Sequence, residues 1–129
     1  MAGPGTPTRA ARVLIVEDDR LTARLLEFYL QDAGYETCLA PDVAEGLRQA
    51  ELFVPDVILL DWQLPDGTGL DFLEHSRGKP TTVVVLSGTP TPEREAAART
   101  VGAAAMWAKP LSGTELCERL VRLGIPSQI

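Results

Sequence analysis

Six residues of chemically active type follow short apolar runs at separated points of the chain. Glu17, Asp18 and Asp19 come after Val13-Leu14-Ile15-Val16, Asp61 after Val57-Ile58-Leu59-Leu60, Ser87 after Val83-Val84-Val85-Leu86, and Lys109 just past Ala104 to Trp107. Three carboxylates gathered in one place repel and raise one another's pKa unless a cation neutralises them. Oxygen-only ligands without His or Cys suit a hard divalent ion, Mg²⁺ or Mn²⁺, and Mg²⁺ keeps several waters, leaving positions for a phosphoryl group. A carboxylate nucleophile on such an ion can form an aspartyl phosphate. Lys109 would balance charge on the phosphoryl oxygens, and Ser87 would donate a hydrogen bond to one of them. Singly, each residue has a plainer reading: Asp18 and Asp19 as helix caps, Asp61 as a turn residue, Ser87 as a loop hydroxyl and Lys109 as a solvated charge.

The elements that must position these residues alternate strand and helix. Arg12 to Val16 reads as a strand feeding a helix, whose stripe of Leu21, Leu25 and Phe28, widened by Leu26, Tyr29 and Leu30, is expected to face the core until Gly34 stops it. Glu36 to Leu39 is a second strand, and Asp42 caps a helix running to about Phe53. Asp56 to Leu60 and Thr82 to Leu86 carry continuous apolar runs, Val57 to Leu60 and Val83 to Leu86, as central strands of a parallel sheet do. Between them lie a loop, Pro65 to Gly69, and a short helix, Leu70 to Ser76. Pro92 opens a helix ending near Gly102, Ala104 to Trp107 is the weakest strand, and Ser112 or Thr114 starts a last helix with Leu116, Leu120 and Leu123 inward. Five strands and five helices in βα order give an open, doubly wound α/β sheet with helices on both faces and its ligand site at the carboxyl ends of the strands.

With 129 residues, the chain is expected to form one domain over residues 12–124, flanked by a flexible tail over 1–11 and a short tail over 125–129. A net charge of −6 has the wrong sign for neutralising a phosphate backbone, so no direct nucleic-acid partner is expected. No apolar run reaches membrane length, and the first residues lack the apolar segment of a signal peptide. Cys38 and Cys117 should not pair, and so few cysteines suit a reducing cytoplasm.

Four stretches resemble the receiver domains of bacterial two-component response regulators: residues 13–19, residues 56–67, Val85-Leu86-Ser87-Gly88, and Gly102 through Lys109-Pro110. The resemblance runs from about Arg12 to Leu123. It implies a flavodoxin-like sheet of order 2-1-3-4-5, an order known for a chemotaxis member of this family. It further implies Asp61 as phosphoacceptor, Asp18 as direct metal ligand, Glu17 as an acidic partner acting through water, and the Gln63 backbone carbonyl as a further ligand. Asp19 is then a helix cap, Ser87 the hydroxyl that swings toward the phosphoryl group, Gly88 the small residue that leaves it room, Lys109 its partner, and Pro110 a proline after a cis bond. Members usually place Tyr or Phe three residues before the lysine; here Met106 occupies that switch position, with Trp107 beside it.

The resemblance implies a phosphorylation switch, not a metabolic enzyme. It would take its phosphoryl group from a sensor histidine kinase or a histidine phosphotransfer protein, catalyse its own phosphorylation and dephosphorylation, and signal to a downstream protein as a monomer or weak dimer, without a membrane. A receiver-shaped interaction module that works without phosphate, and a receiver excised from a larger regulator or hybrid kinase, are the alternatives. A phosphohydrolase is disfavoured, because Asp61 is followed by Trp62-Gln63, with no carboxylate two positions on to act as acid catalyst.

Overall fold

A computed structural model describes residues 9–127. The terminal tails inferred from sequence lie partly outside them, at residues 1–8 and 128–129. The elements are β1 (Arg12–Val16), α1 (Arg20–Asp32), β2 (Glu36–Ala40), α2 (Val43–Phe53), β3 (Val57–Asp61), β4 (Gln63–Leu64), β5 (Gly67–Thr68), α3 (Gly69–His75), β6 (Thr82–Ser87), α4 (Pro92–Thr100), β7 (Ala105–Ala108) and α5 (Gly113–Arg122). The main sheet is parallel throughout, in the order β2-β1-β3-β6-β7. With the small antiparallel pair β4-β5 set aside, this is the expected 2-1-3-4-5 order. No described helix is long and apolar enough to cross a membrane.

Successive strand side chains point to opposite faces, so the apolar strands build two core layers. Val13, Ile15, Val57, Leu59, Val84 and Leu86 pack with Leu26 and Leu30 of α1 and Leu116 and Leu120 of α5. Leu14, Val16, Ile58, Leu60, Val83 and Val85 pack with α2, α3 and α4 through Val43, Phe72, Leu73 and Ala98. Two close approaches need glycine. A Cβ on Gly46 would lie 3.0 Å from both Phe72 and Val16, and one on Gly113 would meet the Tyr29 ring at 2.8 Å.

The caps decide where helices start. Asp19 accepts from the Thr22 amide and Asp42 from the Glu45 amide; Ser112, not Thr114, caps α5 by accepting from the Glu115 amide. Thr68 and Asp71 form a reciprocal capping box at α3, which therefore begins at Gly69 and not at Leu70. The expected loop, Pro65 to Gly69, contains β5, which pairs with β4 just before the loop so that Gln63 opposes Thr68.

The expected stripe of α1 is only half right. Leu26 and Leu30 are buried, with Ala23, and Tyr29 packs against the same core, whereas Leu21, Leu25 and Phe28 are 78%, 47% and 64% exposed. The buried set is thus Ala23, Leu26 and Leu30, and the exposed set Leu21, Leu25 and Phe28. At 100° per residue the two sets fall on opposite sides of the helix, and only one side can meet the sheet. Packing also continues past Gly124: Ile125 is buried and its carbonyl accepts from the Tyr35 hydroxyl at 2.7 Å. Burial pushes the Tyr35 hydroxyl up to about 12.

At the end of the sheet away from the strand carboxyl termini, Asp56 closes β1 against β3. Its carboxylate accepts from the Arg12 amide at 2.8 Å and from Arg9 at 3.1 and 3.3 Å, and its own amide donates to the Arg12 carbonyl at 2.8 Å. Burial would raise this carboxyl, but the Arg12 amide and the Arg9 guanidinium outweigh it and hold it below its ordinary value. The ionised form therefore stabilises the fold above the unfolded-state pKa, and that contribution disappears as pH falls through the folded-state value. Asp56→Asn should cost about 1 kcal/mol at neutral pH. In urea titrations, the gap from the parent protein should close in acid. A gap of the same size at every pH would contradict this role.

Candidate functional site

Backbone bonding carries the ladder one step beyond the strands and brings the polar residues to one end of the sheet. The Glu17 amide donates to the Ala40 carbonyl at 2.9 Å, Trp62 to Leu86 at 2.9 Å, and Lys109 to Ser87 at 2.8 Å. Asp61 is the last residue of β3 and Ser87 the last of β6. Glu17 immediately follows β1, and Lys109 immediately follows β7. The parallel register thus delivers residues distant in sequence to neighbouring strand ends.

Lys109 ties them together. Its Nζ donates to Glu17 Oε1 at 2.9 Å and to Asp61 Oδ1 at 3.2 Å. One oxygen from each of Glu17, Asp18 and Asp61 lies within 4.8 Å of the others. Glu17 is buried, Asp61 half-buried and Asp18 exposed, so the cluster opens to solvent on one side. That opening is a cleft of about 600 Å³ lined by Asp18, Asp61, Gln63, Leu64, Pro65, Gly67 and Thr68.

Burial is the main reason Glu17 is pushed up to about 7, and the facing Asp61 carboxylate adds to it against the opposing pull of Lys109. Lys109 itself is raised: burial works against its charge, but bonding to Glu17 and the attraction of both carboxylates prevail. One lysine thus meets a cluster of three acids. Glu17 Oε2 is buried without a hydrogen-bond partner among the described residues. A donor set of carboxylate oxygens with an orphaned buried oxygen fits a hard divalent cation.

Ser87 is 2% exposed, and its Oγ accepts from the Thr89 amide at 3.1 Å. Gly88 has open space where a Cβ would stand. The Lys109–Pro110 bond is cis, Asp19 serves as the α1 cap, and Cys38 and Cys117 are free thiols. Met106 is buried within the α2-α3-α4 layer, opposite Val85, while Trp107 faces the α1-α5 layer. Sequence reasoning missed Asp66, whose carboxylate accepts from the Val43 and Ala44 amides at 2.8 and 3.0 Å. It pins the loop beyond Asp61 to the start of α2, and these amide bonds hold its carboxyl below the ordinary value. It also missed Arg94, whose guanidinium carbon lies 5.4 Å from the centre of the Trp62 ring.

The family model for the response regulator receiver domain matches residues 13–121. The chain is 33% identical over 115 residues to the phosphate regulon transcriptional regulatory protein PhoB of Escherichia coli K12, covering 86% of this chain and 50% of that protein. It is 37% identical over 109 residues to the KDP operon transcriptional regulatory protein KdpE of the same organism, covering 84% and 48%. The chain spans about half the length of these curated relatives. Among solved structures, the chemotaxis protein CheY4 of Vibrio cholerae superposes with a TM-score of 0.84 at 33% identity, over 88% of this chain and 98% of that one. A CheY-like receiver domain protein from Methanospirillum hungatei JF-1 gives 0.83 at 28% identity, over 88% and 93%. The carboxylate-lysine cluster therefore sits where a doubly wound sheet places its ligand, in a chain that belongs to the response regulator receiver domain family.

Proposed function

We propose that the chain is a phosphorylation switch whose acceptor is Asp61. The observation that carries this reading is Lys109 Nζ bridging Glu17 and Asp61 at the mouth of an open cleft, with the Ser87 hydroxyl on the adjacent strand end. Asp61 is the half-buried carboxylate that both lines the cleft and touches the lysine, so it combines access with charge support. The donor is a phosphohistidine on a sensor kinase or a phosphotransfer protein. As a carboxylate oxygen of Asp61 forms the new P–O bond, the P–N bond breaks and the departing imidazole nitrogen keeps the electron pair and takes up a proton. Lys109 neutralises the phosphoryl oxygens, and Ser87 turns its hydroxyl to donate to one of them. Water attacking phosphorus later restores the carboxylate and releases inorganic phosphate, so phosphorylation and its reversal are both catalysed by the domain's own residues.

Asp18, Asp61 and the Gln63 backbone carbonyl would hold Mg²⁺ or Mn²⁺, with Glu17 acting through water. When bound, the ion supplies positive charge and oxygen coordination to the transferring group. The output is a protein contact with a downstream target, made by a monomer or weak dimer. Two free thiols fit the reducing cytoplasm in which we place it.

Treatment with acetyl phosphate and Mg²⁺ should add one phosphate by intact mass, and Asp61→Asn should add none while keeping its fold, because the amide is nearly isosteric but a poor nucleophile. A full-yield adduct on the Asn variant would assign the acceptor elsewhere. Mg²⁺ should also raise the melting temperature and alter Trp62 emission; ligand linkage gives about 2.7 kcal/mol when free metal is about 100-fold above its Kd. A melt and a spectrum both indifferent to millimolar Mg²⁺ would contradict the metal assignment.

A further inference from the structure

Arg94 lies in the first turn of α4, where the helix dipole disfavours a cation. Its placement has another cause. One guanidinium nitrogen, Nη1, donates to the Thr89 carbonyl at 3.1 Å and to Thr89 Oγ1 at 2.7 Å, while the guanidinium carbon stands 5.4 Å from the centre of the Trp62 ring. Thr89 in turn donates its amide to Ser87 Oγ at 3.1 Å. Trp62 is held to the sheet through its own amide, which donates to the Leu86 carbonyl at 2.9 Å. An unbroken chain of contacts therefore runs from Ser87 through Thr89 and Arg94 to Trp62, the residue next to Asp61.

We infer that Arg94 is a positioning residue that couples the Ser87 loop and the first turn of α4 to Trp62, a route of coupling that does not use position 106. This rests on the reading of Asp61 as phosphoacceptor. When the Ser87 side chain turns toward a phosphoryl oxygen, it gives up the Thr89 amide. Thr89 is then free to shift and takes the Arg94 guanidinium with it through two hydrogen bonds. Trp62 cannot follow, because its backbone is part of the ladder, so the contact that gives way is Arg94 against the indole. Met106 offers neither a hydroxyl nor a rigid ring, and it sits in the apolar layer beneath α3 and α4. The polar connection from Ser87 to α4 passes instead through Thr89 and Arg94.

The test compares the parent protein, Arg94→Ala, Arg94→Lys and Trp62→Leu, each with and without acetyl phosphate and Mg²⁺. Residue-resolved amide exchange is followed at Thr89 and across the first turn of α4, and phosphate uptake by intact mass. In the parent, phosphorylation should speed exchange at Thr89. Arg94→Ala, which removes both hydrogen bonds to Thr89 as well as the ring contact, should take up phosphate like the parent, yet exchange at least about two- to fivefold faster at Thr89 before phosphorylation, the lower bound being the scale of an exposed cation–π contact, and phosphorylation should then add correspondingly less. Trp62→Leu should speed exchange at Thr89 by about two- to fivefold although Trp62 makes no hydrogen bond to it, and Arg94→Lys should fall between the parent and Arg94→Ala, since a lysine keeps the cation but not the planar fork. Thr89 exchange at the parent rate in Trp62→Leu, with an equal response to phosphorylation in all four proteins, would overturn the coupling alone. Absence of any adduct on the parent would overturn the acceptor reading and the coupling with it.

Discussion

Everything at the mouth of this sheet depends on Lys109 holding Glu17 and Asp61 at once. The lysine comes from beyond β7, the glutamate from beyond β1 and the aspartate from the end of β3, so the contact exists only if the parallel register is correct across the sheet. A buried carboxylate beside a like charge is costly, and one ammonium cannot neutralise a cluster of three acids. The apolar strands bear that cost. Leu14, Val16, Leu59, Leu60 and Val85 are essentially inaccessible to solvent and fix the strand ends rigidly enough to keep the charges together. The uncompensated negative charge that remains is of the kind a hard divalent cation would neutralise.

Much of this was legible in the chain because two patterns are strong. Continuous apolar runs identify buried parallel strands, and the residue that ends each run is placed by topology at the ligand-binding edge. That logic reached Glu17, Asp61, Ser87 and Lys109 without any knowledge of contacts. On α1 periodicity placed Leu26, Tyr29 and Leu30 correctly but not Leu21, Leu25 and Phe28, because Leu21-Leu25-Phe28 and Ala23-Leu26-Leu30 are both helical stripes and only tertiary packing chooses between them. The choice fell on the stripe containing the small Ala23, leaving the bulkier one outward.

The β4-β5 pair was illegible for a different reason. Each strand has two residues and no alternation to detect, so its existence depends on contacts made around it. Asp66 reaching across to the first turn of α2, and Arg94 reaching back to Thr89 and Trp62, are likewise polar contacts between elements. In sequence Asp66 is one residue of the Pro65 to Gly69 loop, and nothing sets Arg94 apart from the other charges of its helix. Their bonds nonetheless hold two loops at the carboxyl ends of the strands, the one after β3 and the one after β6. Met106 was visible in the chain, but its burial in the α2-α3-α4 layer opposite Val85 was not.

The central claim is that Asp61, among the three clustered carboxylates, carries the phosphoryl group. Borohydride reduction decides it, because hydride converts an acyl phosphate to an alcohol with release of phosphate and leaves an unmodified carboxylate intact. Peptide mapping of acetyl phosphate-treated protein after reduction should find homoserine at position 61 and unaltered residues at positions 17 and 18. A reduced side chain at Glu17 or Asp18, with Asp61 intact, would contradict the account.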